Sequence, residues 1–279
     1  MSTLAANLQP LSRENFLFMR DLLKKETAIV LADGKEYLVE TRLATIATRH
    51  GFGSVNDLVA HLRTSFATGP GTPRAEVIDA LTTNETLFFR DLAPFDALRD
   101  TIIPELATRS AGAPLSIWSA ACSSGQEAYS LTMLMAEHHP TINYRIVGTD
   151  ISSKVLDKAK SGTYLQHEIN RGLPAKLLIK HFRQQAGAWI ISEDLRRRVE
   201  FRYLNLIGAW TGLPKCDLIL MRNVLIYFDV ETRRDILRQA RMLLRPGGYL
   251  SLGGAETTVQ IDPAFTPVTV GRATFFRVN

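Results

Sequence analysis

The chain predicts an α/β fold: an open, mostly parallel sheet with helices on both faces, a helical N-terminal part and a small antiparallel β insertion. Three observations carry this. Short apolar runs at Leu115–Trp118, Ile146–Val147, Leu218–Met221 and Tyr249–Leu252 alternate with amphipathic helical patterns. Residues 1 to about 75 carry helical spacing and few strand signals. Between about 175 and 204, the runs Ala188–Ile191 and Val199–Leu204 interrupt the alternation, and Gly187 suits a hairpin turn.

In chain order, Phe16, Met19, Leu22 and Leu23 share one helical face, and Leu38, Leu43, Ile46 and Ala47 share another. Ser54-Val55-Asn56-Asp57 reads as a capping box ahead of Leu58 and Val59. The stretch Ala67–Pro73 breaks regular structure and is the expected linker, which gives domains of 1–75 and 76–279. A strand at Leu115–Trp118, a loop of small residues at Ser119–Gly125 and a helix from Gln126 follow. Tyr129, Leu131, Leu134 and Met135 are placed on one face of that helix. Arg245-Pro246-Gly247-Gly248 ends a helix and turns into the next strand.

The 279 residues are 46% hydrophobic and 22% charged, ordinary values for a globular chain long enough to build a core. The net charge of +5 could favour an acidic partner but is too modest and spread to argue for nucleic acid, and none is expected. Apolar runs fall short of the roughly 20 residues that span a bilayer, so no membrane insertion is expected. The start, MSTLAANLQPLSREN, lacks a basic head and apolar core, so no signal peptide is expected. Cys122 and Cys216 then point to a reducing cytoplasm without disulfides. His138 and His139 are adjacent and point apart, and the other histidines lack partner spacing, so no metal is expected.

Strand, small-residue loop and helix is how an open α/β sheet offers backbone N–H groups to a nucleotide-like ligand. Gly125 stands alone of the dinucleotide glycines, so a nucleoside-containing cofactor fits better than a pyrophosphate one. Glu127 is either an acid favoured by a helix N-terminus or the partner of a ligand ammonium group. Asp150, ending the next strand, suits a ribose diol, with a helix cap before Ser152 as the plainer role. Arg222, Asn223 and Tyr227 cluster past the end of another strand, where ligands of such sheets sit. Thr82–Arg90 is either a capped core-facing turn, Thr82 with Glu85, or part of a site near the domain junction.

The motifs LTTNETLFFRD, IWSAACSSGQEAYS, GTDIS, FRYLNL, RNVLIYF and LRPGGYL occur in this order. Together they resemble the chemotaxis receptor methyltransferases, the CheR family, over nearly the whole chain. The resemblance implies a class I (Rossmann-like) S-adenosylmethionine-dependent methyltransferase fold. It also implies methyl transfer to glutamates on the cytoplasmic helical region of chemoreceptors, without a metal. It implies Asn84, Thr86 and Arg90 at the methionine end of the cofactor, Glu127 on its amino group and Asp150 on the ribose. Asn205 and Leu206 would flank the adenine, Arg222 and Asn223 would line the floor, and Arg90 and Tyr227 would lie nearest the transferred methyl. Gln126, Ala128, Met221 and Gly254-Ala255 before Glu256 depart from the family pattern without removing any of these positions.

Two expectations concern the substrate. Arg42 and Arg49, at i and i+7, share a helix face near His50, and Arg20 and Lys24 repeat the pattern at i and i+4. Such a face is either a solvated basic surface or a guide for an acidic receptor helix. Some family members capture a receptor C-terminal pentapeptide on the edge of the β insertion through a longer, glycine-rich hairpin. The turn Arg183–Ala188 is short and has one glycine, Gly187, so no such tether is expected; Arg196, Arg197 and Arg198 would make direct contacts instead. A small-molecule methyltransferase would not need the helical part or the insertion. A non-catalytic adaptor would be expected to lack Asp150 or Arg90, and both are present.

Overall fold

The computed structural model describes residues 10–67, 69 and 71–278. The segment 1–9, which bears the leader expectation, and residues 68 and 70 of the expected linker lie outside these. The chain divides into two compact units, Met1–Thr83 and Asn84–Asn279.

The first unit is helical: α1 (Arg13–Thr27), α2 (Glu36–Arg49), α3 (Val55–Thr64) and α4 (Pro73–Leu81). Ser12 caps α1 by accepting from the Asn15 amide, and Phe16, Met19, Leu22 and Leu23 are buried along its inner face. On α2 the buried set is Val39, Leu43, Ile46 and Ala47, so Val39 takes the place expected for Leu38. Ser54 caps α3 by accepting from the Asp57 amide. The division falls at Thr83, not near residue 75. The proline that looks like a break opens α4 at its first turn, where its missing N–H costs nothing. Thr82 ends α4 and donates its hydroxyl to the Asp79 carbonyl at 2.8 Å, so it caps the preceding helix and not a following one.

The second unit opens with α5 (Leu92–Ala97), a π turn at Leu98–Ile102 and α6 (Ile103–Arg109). Then come β1 (Leu115–Ala120), α7 (Gln126–His138), β2 (Tyr144–Asp150) and α8 (Ser153–Ser161). The insertion holds β3 (Thr163–Tyr164), α9 (Gln166–Ile169), α10 (Ala175–His181), β4 (Phe182–Gln185), β5 (Ala188–Ile191) and α11 (Glu193–Arg196). The main fold resumes with β6 (Val199–Tyr203), β7 (Cys216–Met221), α12 (Val230–Leu243), β8 (Leu244–Leu252), β9 (Phe265–Val270) and β10 (Ala273–Val278).

The main sheet runs β6-β2-β1-β7-β8-β10-β9. β6, β2, β1, β7 and β8 are parallel, and β10 is antiparallel to both β8 and β9. The strand order reverses between β1 and β7, so the crevice outside their carboxyl ends is the place for a ligand. The β1 strand is buried at every position, which suits the centre of a sheet covered on both faces. Trp118 is fully buried and donates its indole N–H to the Thr149 hydroxyl at 2.9 Å, tying β1 to β2. The helix α7 is buried well beyond the expected stripe, from Ala128 through Met135.

The insertion differs from expectation at both ends. Its sheet, β3-β5-β4, begins at Thr163, and Val199–Tyr203 belongs to the main sheet, parallel to β2 from Ile146↔Val199 to Asp150↔Tyr203. Val199 and Phe201 alternate inward, and such a short alternation looks the same in a hairpin or at the edge of a parallel sheet. The β4–β5 turn is as expected: Ala186 and Gly187 both have positive φ, 48° and 78°, as a two-residue hairpin of right-handed twist requires. Among the described residues, no helix is long and apolar enough to cross a membrane.

Candidate functional site

Apart from Asn84, Thr86 and Arg90, the residues expected to bind a ligand emerge from the carboxyl ends of four parallel strands. After β1 the chain makes three positive-φ residues, Ala121 (52°), Ser123 (50°) and Gly125 (90°), before entering α7. Gly125 is required twice over: its φ suits glycine, and a Cβ there would lie 3.0 Å from the Ala159 Cβ and 3.1 Å from the Phe201 ring. It caps α7 without a side chain, so the first-turn N–H groups are left for a ligand. Asp150 ends β2 and is 6% exposed. One carboxylate oxygen accepts from the Ser123 amide at 2.8 Å, the other from the Ser152 amide at 2.9 Å. A carboxylate held in this way at the end of a central strand suits a vicinal diol, because each oxygen can accept more than one hydrogen bond.

Arg222 follows β7 and is 2% exposed at its side chain. One terminal nitrogen donates to the Arg90 carbonyl at 2.7 Å and to Asp91 at 2.9 Å; the other donates to Glu127 at 3.2 Å. Its guanidinium carbon lies 5.7 Å from the centre of the Phe95 ring. Arg222 is thus a tie between β7, the start of α7 and the strained segment before α5, where Phe89 and Asp91 have φ of 48° and 57°. Glu127 also accepts from the Ser119 hydroxyl at 2.7 Å, which aims its carboxylate across the end of β1. The Nε of Arg222 and the Oδ1 of Asn223 are buried and lack a partner within the protein. Orphaned polar atoms beside a charged cluster mark a place for a polar ligand.

The segment Asn84–Arg90 is a loop anchored at several points. Ser123 donates its hydroxyl to the Asn84 carbonyl at 2.8 Å, and Ser130 accepts from the Phe89 amide at 2.9 Å. Glu85 pairs with Arg171 at 2.5 Å, and that guanidinium holds its carboxyl below the usual range. Thr86 is half-buried. The Arg90 side chain makes one long contact, 3.3 Å to the Glu85 carbonyl, and is half-buried. Past β6, Asn205 accepts from the Ile207 amide, and Leu206 is buried beside Trp210, whose indole donates to the Leu206 carbonyl at 3.1 Å. Trp210 packs edge-on to Trp118, ring centres 4.6 Å apart, which gives this end an aromatic wall. Tyr227 closes a 3-10 turn, Leu225–Tyr227, and is half-buried.

Glu256, which the sequence reading does not single out, lies against the backbone of Asn223. Its carboxylate accepts from the amides of Asn223 (2.7 Å), Gly253 (2.6 Å) and Ile226 (3.2 Å). The sequence signal was the spacing Gly253-x-x-Glu256 at the end of a strand, a turn that folds its acid back onto its own start.

The arginines expected to meet the substrate have structural engagements. In the helical unit, one Arg42 nitrogen lies 3.2–3.3 Å from the carbonyls of Ala80, Leu81 and Thr82, capping α4. Arg49 pairs with Glu76 at 2.6 Å and keeps 57% of its side chain exposed. In the insertion, Arg196 and Arg197 pair with Glu193, and Arg198 lies over the Tyr144 ring. Burial raises the Cys122 thiol pKa well above its ordinary value and pushes Cys216 up to about 12, so neither is poised as a nucleophile. Among the described residues, no group of three or more His, Cys, Asp and Glu is placed to hold a metal.

Residues 84–273 match the family model described as the CheR methyltransferase SAM-binding domain, and residues 14–82 match that of the CheR methyltransferase all-alpha domain. The chain is 40% identical over 272 residues to chemotaxis protein methyltransferase 1 of Pseudomonas aeruginosa, covering 95% of this chain and 98% of that one. It is 40% identical over 249 residues to chemotaxis protein methyltransferase Cher2 of Pseudomonas putida, covering 87% and 90%. To chemotaxis protein methyltransferase 1 of Vibrio cholerae it is 36% identical over 266 residues, covering 92% and 94%.

Proposed function

The chain belongs to the CheR family of S-adenosylmethionine-dependent methyltransferases, and on that premise we propose that it esterifies glutamate side chains on the cytoplasmic helices of chemoreceptors. The supporting observation is the convergence of Glu127, Asp150, Arg222 and Asn223 at the carboxyl ends of β1, β2 and β7, with Asn205 and Leu206 past β6. A carboxylate for an amino group, a carboxylate for a diol and an apolar wall for a base suit the two ends and the middle of S-adenosylmethionine. When bound, that molecule supplies an electrophilic sulfonium methyl.

Asn84, Thr86 and Arg90 then line the methionine end, and Glu127 takes the amino group through its remaining lone pairs. A substrate glutamate has an ordinary pKa of about 4.3 and is ionised at neutral pH, so the reaction needs no general base. Attack by a carboxylate on a sulfonium methyl cancels opposite charges, so a site that excludes water favours it. Arg90 and Tyr227 orient the incoming carboxylate; an arginine that gripped it hard would stabilise the ground state and slow transfer. Arg222, already neutralised by Glu127 and Asp91, is suited to holding the floor of the site and not to binding the substrate.

The helical unit faces the receptor, and of its two singled-out arginines the exposed Arg49 is the better suited to guide an acidic helix. The tight β4–β5 turn supports docking without a C-terminal pentapeptide tether. The work is done in the cytoplasm, where the receptor helices lie, and removing a negative charge per transfer adjusts the repulsion between packed helices.

The test is transfer of labelled methyl from S-adenosylmethionine to a panel of receptor cytoplasmic fragments. Base-labile label released as methanol is the expected result. Label on small carboxylic acids and on no receptor fragment would replace this reading with a small-molecule enzyme, and cofactor binding with no transfer at all would replace it with an adaptor. Saturable binding of a tethering pentapeptide along β4 or β5 would overturn the tether-free part alone.

A further inference from the structure

We propose that Glu256 is a positioning residue for methyl transfer: its carboxylate fixes the turn that carries Asn223 and Tyr227. This rests on the roles proposed above for those two residues. Two segments meet at this carboxylate, the exit of β7 and the exit of β8. The β8 exit is a turn closed by the Glu256 amide donating to the Gly253 carbonyl at 2.9 Å. Within it the side chain folds back, so that one oxygen accepts from both the Gly253 amide (2.6 Å) and the Asn223 amide (2.7 Å). The other accepts from the Ile226 amide at 3.2 Å, one residue before Tyr227.

The hold matters because Asn223 sits in the left-handed region, φ 59°, which asparagine enters more readily than other side chains but which must be fixed for the turn to keep one shape. Bonds from backbone amides to a carboxylate are charge-assisted and can fix such a conformation. Gly253 supplies a second, independent constraint. A Cβ there would lie 2.6 Å from the Asn223 Nδ2, 2.8 Å from the Asn223 amide and 2.8 Å from the Glu256 carboxylate. The β8 exit is therefore shaped to receive the Asn223 backbone, with Glu256 as its clasp. Glutamine keeps the length of the side chain but replaces one acceptor with a donor, which cannot serve an amide N–H. Aspartate keeps the charge and is one methylene short of spanning both amide groups.

The test uses Glu256→Gln, Glu256→Ala and Gly253→Ala in the full chain. Hydrogen exchange of the amides at 223–228, measured on the protein alone, should accelerate about tenfold or more relative to those of β1 and β2 in the Glu256 variants. The kcat for receptor methylation should fall about tenfold or more, the scale of a misplaced catalytic group, while the receptor KM changes less than about twofold. Gly253→Ala should reproduce the loss of kcat with Glu256 still present. Unchanged exchange at 223–228 in Glu256→Ala, or an unchanged kcat, would overturn the proposal, as would a kcat loss matched by equal acceleration of exchange throughout the sheet. The exchange measurement needs no substrate. A wild type that methylates no receptor fragment therefore overturns the proposed function, while exchange at 223–228 still decides whether Glu256 holds the turn.

Discussion

Arg222 and Arg42 are both singled out in the sequence, one past the end of a strand and one on a helix face, each is engaged in the structure, and the difference lies in what they engage. Arg222 gathers a carboxylate and a carbonyl from Arg90–Asp91 and a second carboxylate from Glu127, at 2% side-chain exposure and at the carboxyl end of a central strand. Arg42 gathers three successive carbonyls of one helix end. Converging charges from segments far apart in sequence organise a site, whereas a row of adjacent carbonyls is the ordinary need of a helix C-terminus. A basic residue at helical spacing says nothing about which of these it meets.

The contrast can be broken most directly at Arg222. Arg222→Leu leaves Glu127, 13% exposed at its side chain, without its cation, and removing one partner of a buried pair costs about 3–5 kcal/mol. Denaturant unfolding should show a loss on that scale, together with loss of cofactor-product binding. Asp150→Ala should weaken S-adenosylhomocysteine binding by about 1–3 kcal/mol, read by calorimetry. Arg42→Ala should cost about 1 kcal/mol of stability, the worth of a helix-end hydrogen bond, and leave that affinity unchanged. Arg49→Ala removes an exposed pair with Glu76 and should change unfolding by less than about 1 kcal/mol. Its effect, if the proposed docking role holds, is a slower and more salt-dependent receptor methylation.

A pH effect sharpens the comparison further, at a tie outside the site. Glu137 at the end of α7 pairs with Lys180 and His181 of the insertion. The hydrogen bond from Lys180 first, and that from His181, hold its carboxyl below the ordinary range. A depressed folded pKa stabilises fully above the unfolded value and is lost as pH falls through the folded one. Thermal unfolding followed downward from neutral pH should therefore show a loss below about pH 4.3 that Glu137→Gln lacks.

The parts of the fold readable in the sequence were those with a strong local pattern. The β1–loop–α7 unit, the acid at the end of β2 and the Ser54 cap each declare themselves over a few residues. The parts that were not readable depend on partners. The run at Val199–Tyr203 carries no mark that its neighbour is β2 and not the hairpin. The two-residue β3 is too short for any periodicity, and α4 was hidden because a proline that opens a helix resembles one that ends a domain. In the site, Glu127, Asp150 and Arg222 were named from position after a strand, yet the bond of Arg222 to the Arg90 carbonyl joins residues 132 apart in sequence. Glu256 was passed over because its three donors are backbone amides, which every residue has.

The central claim is that the carboxyl ends of β1, β2 and β7 form one binding site for S-adenosylmethionine, organised by Asp150 and Arg222 and independent of the helix cap made by Arg42. Calorimetric titration of S-adenosylhomocysteine into the wild type, Asp150→Ala and Arg42→Ala tests it in one series. The account predicts a single saturable site in the wild type, a weakening of about 1–3 kcal/mol in Asp150→Ala and an unchanged affinity in Arg42→Ala. An absence of binding to the wild type, or equal affinities in the wild type and Asp150→Ala, would contradict it.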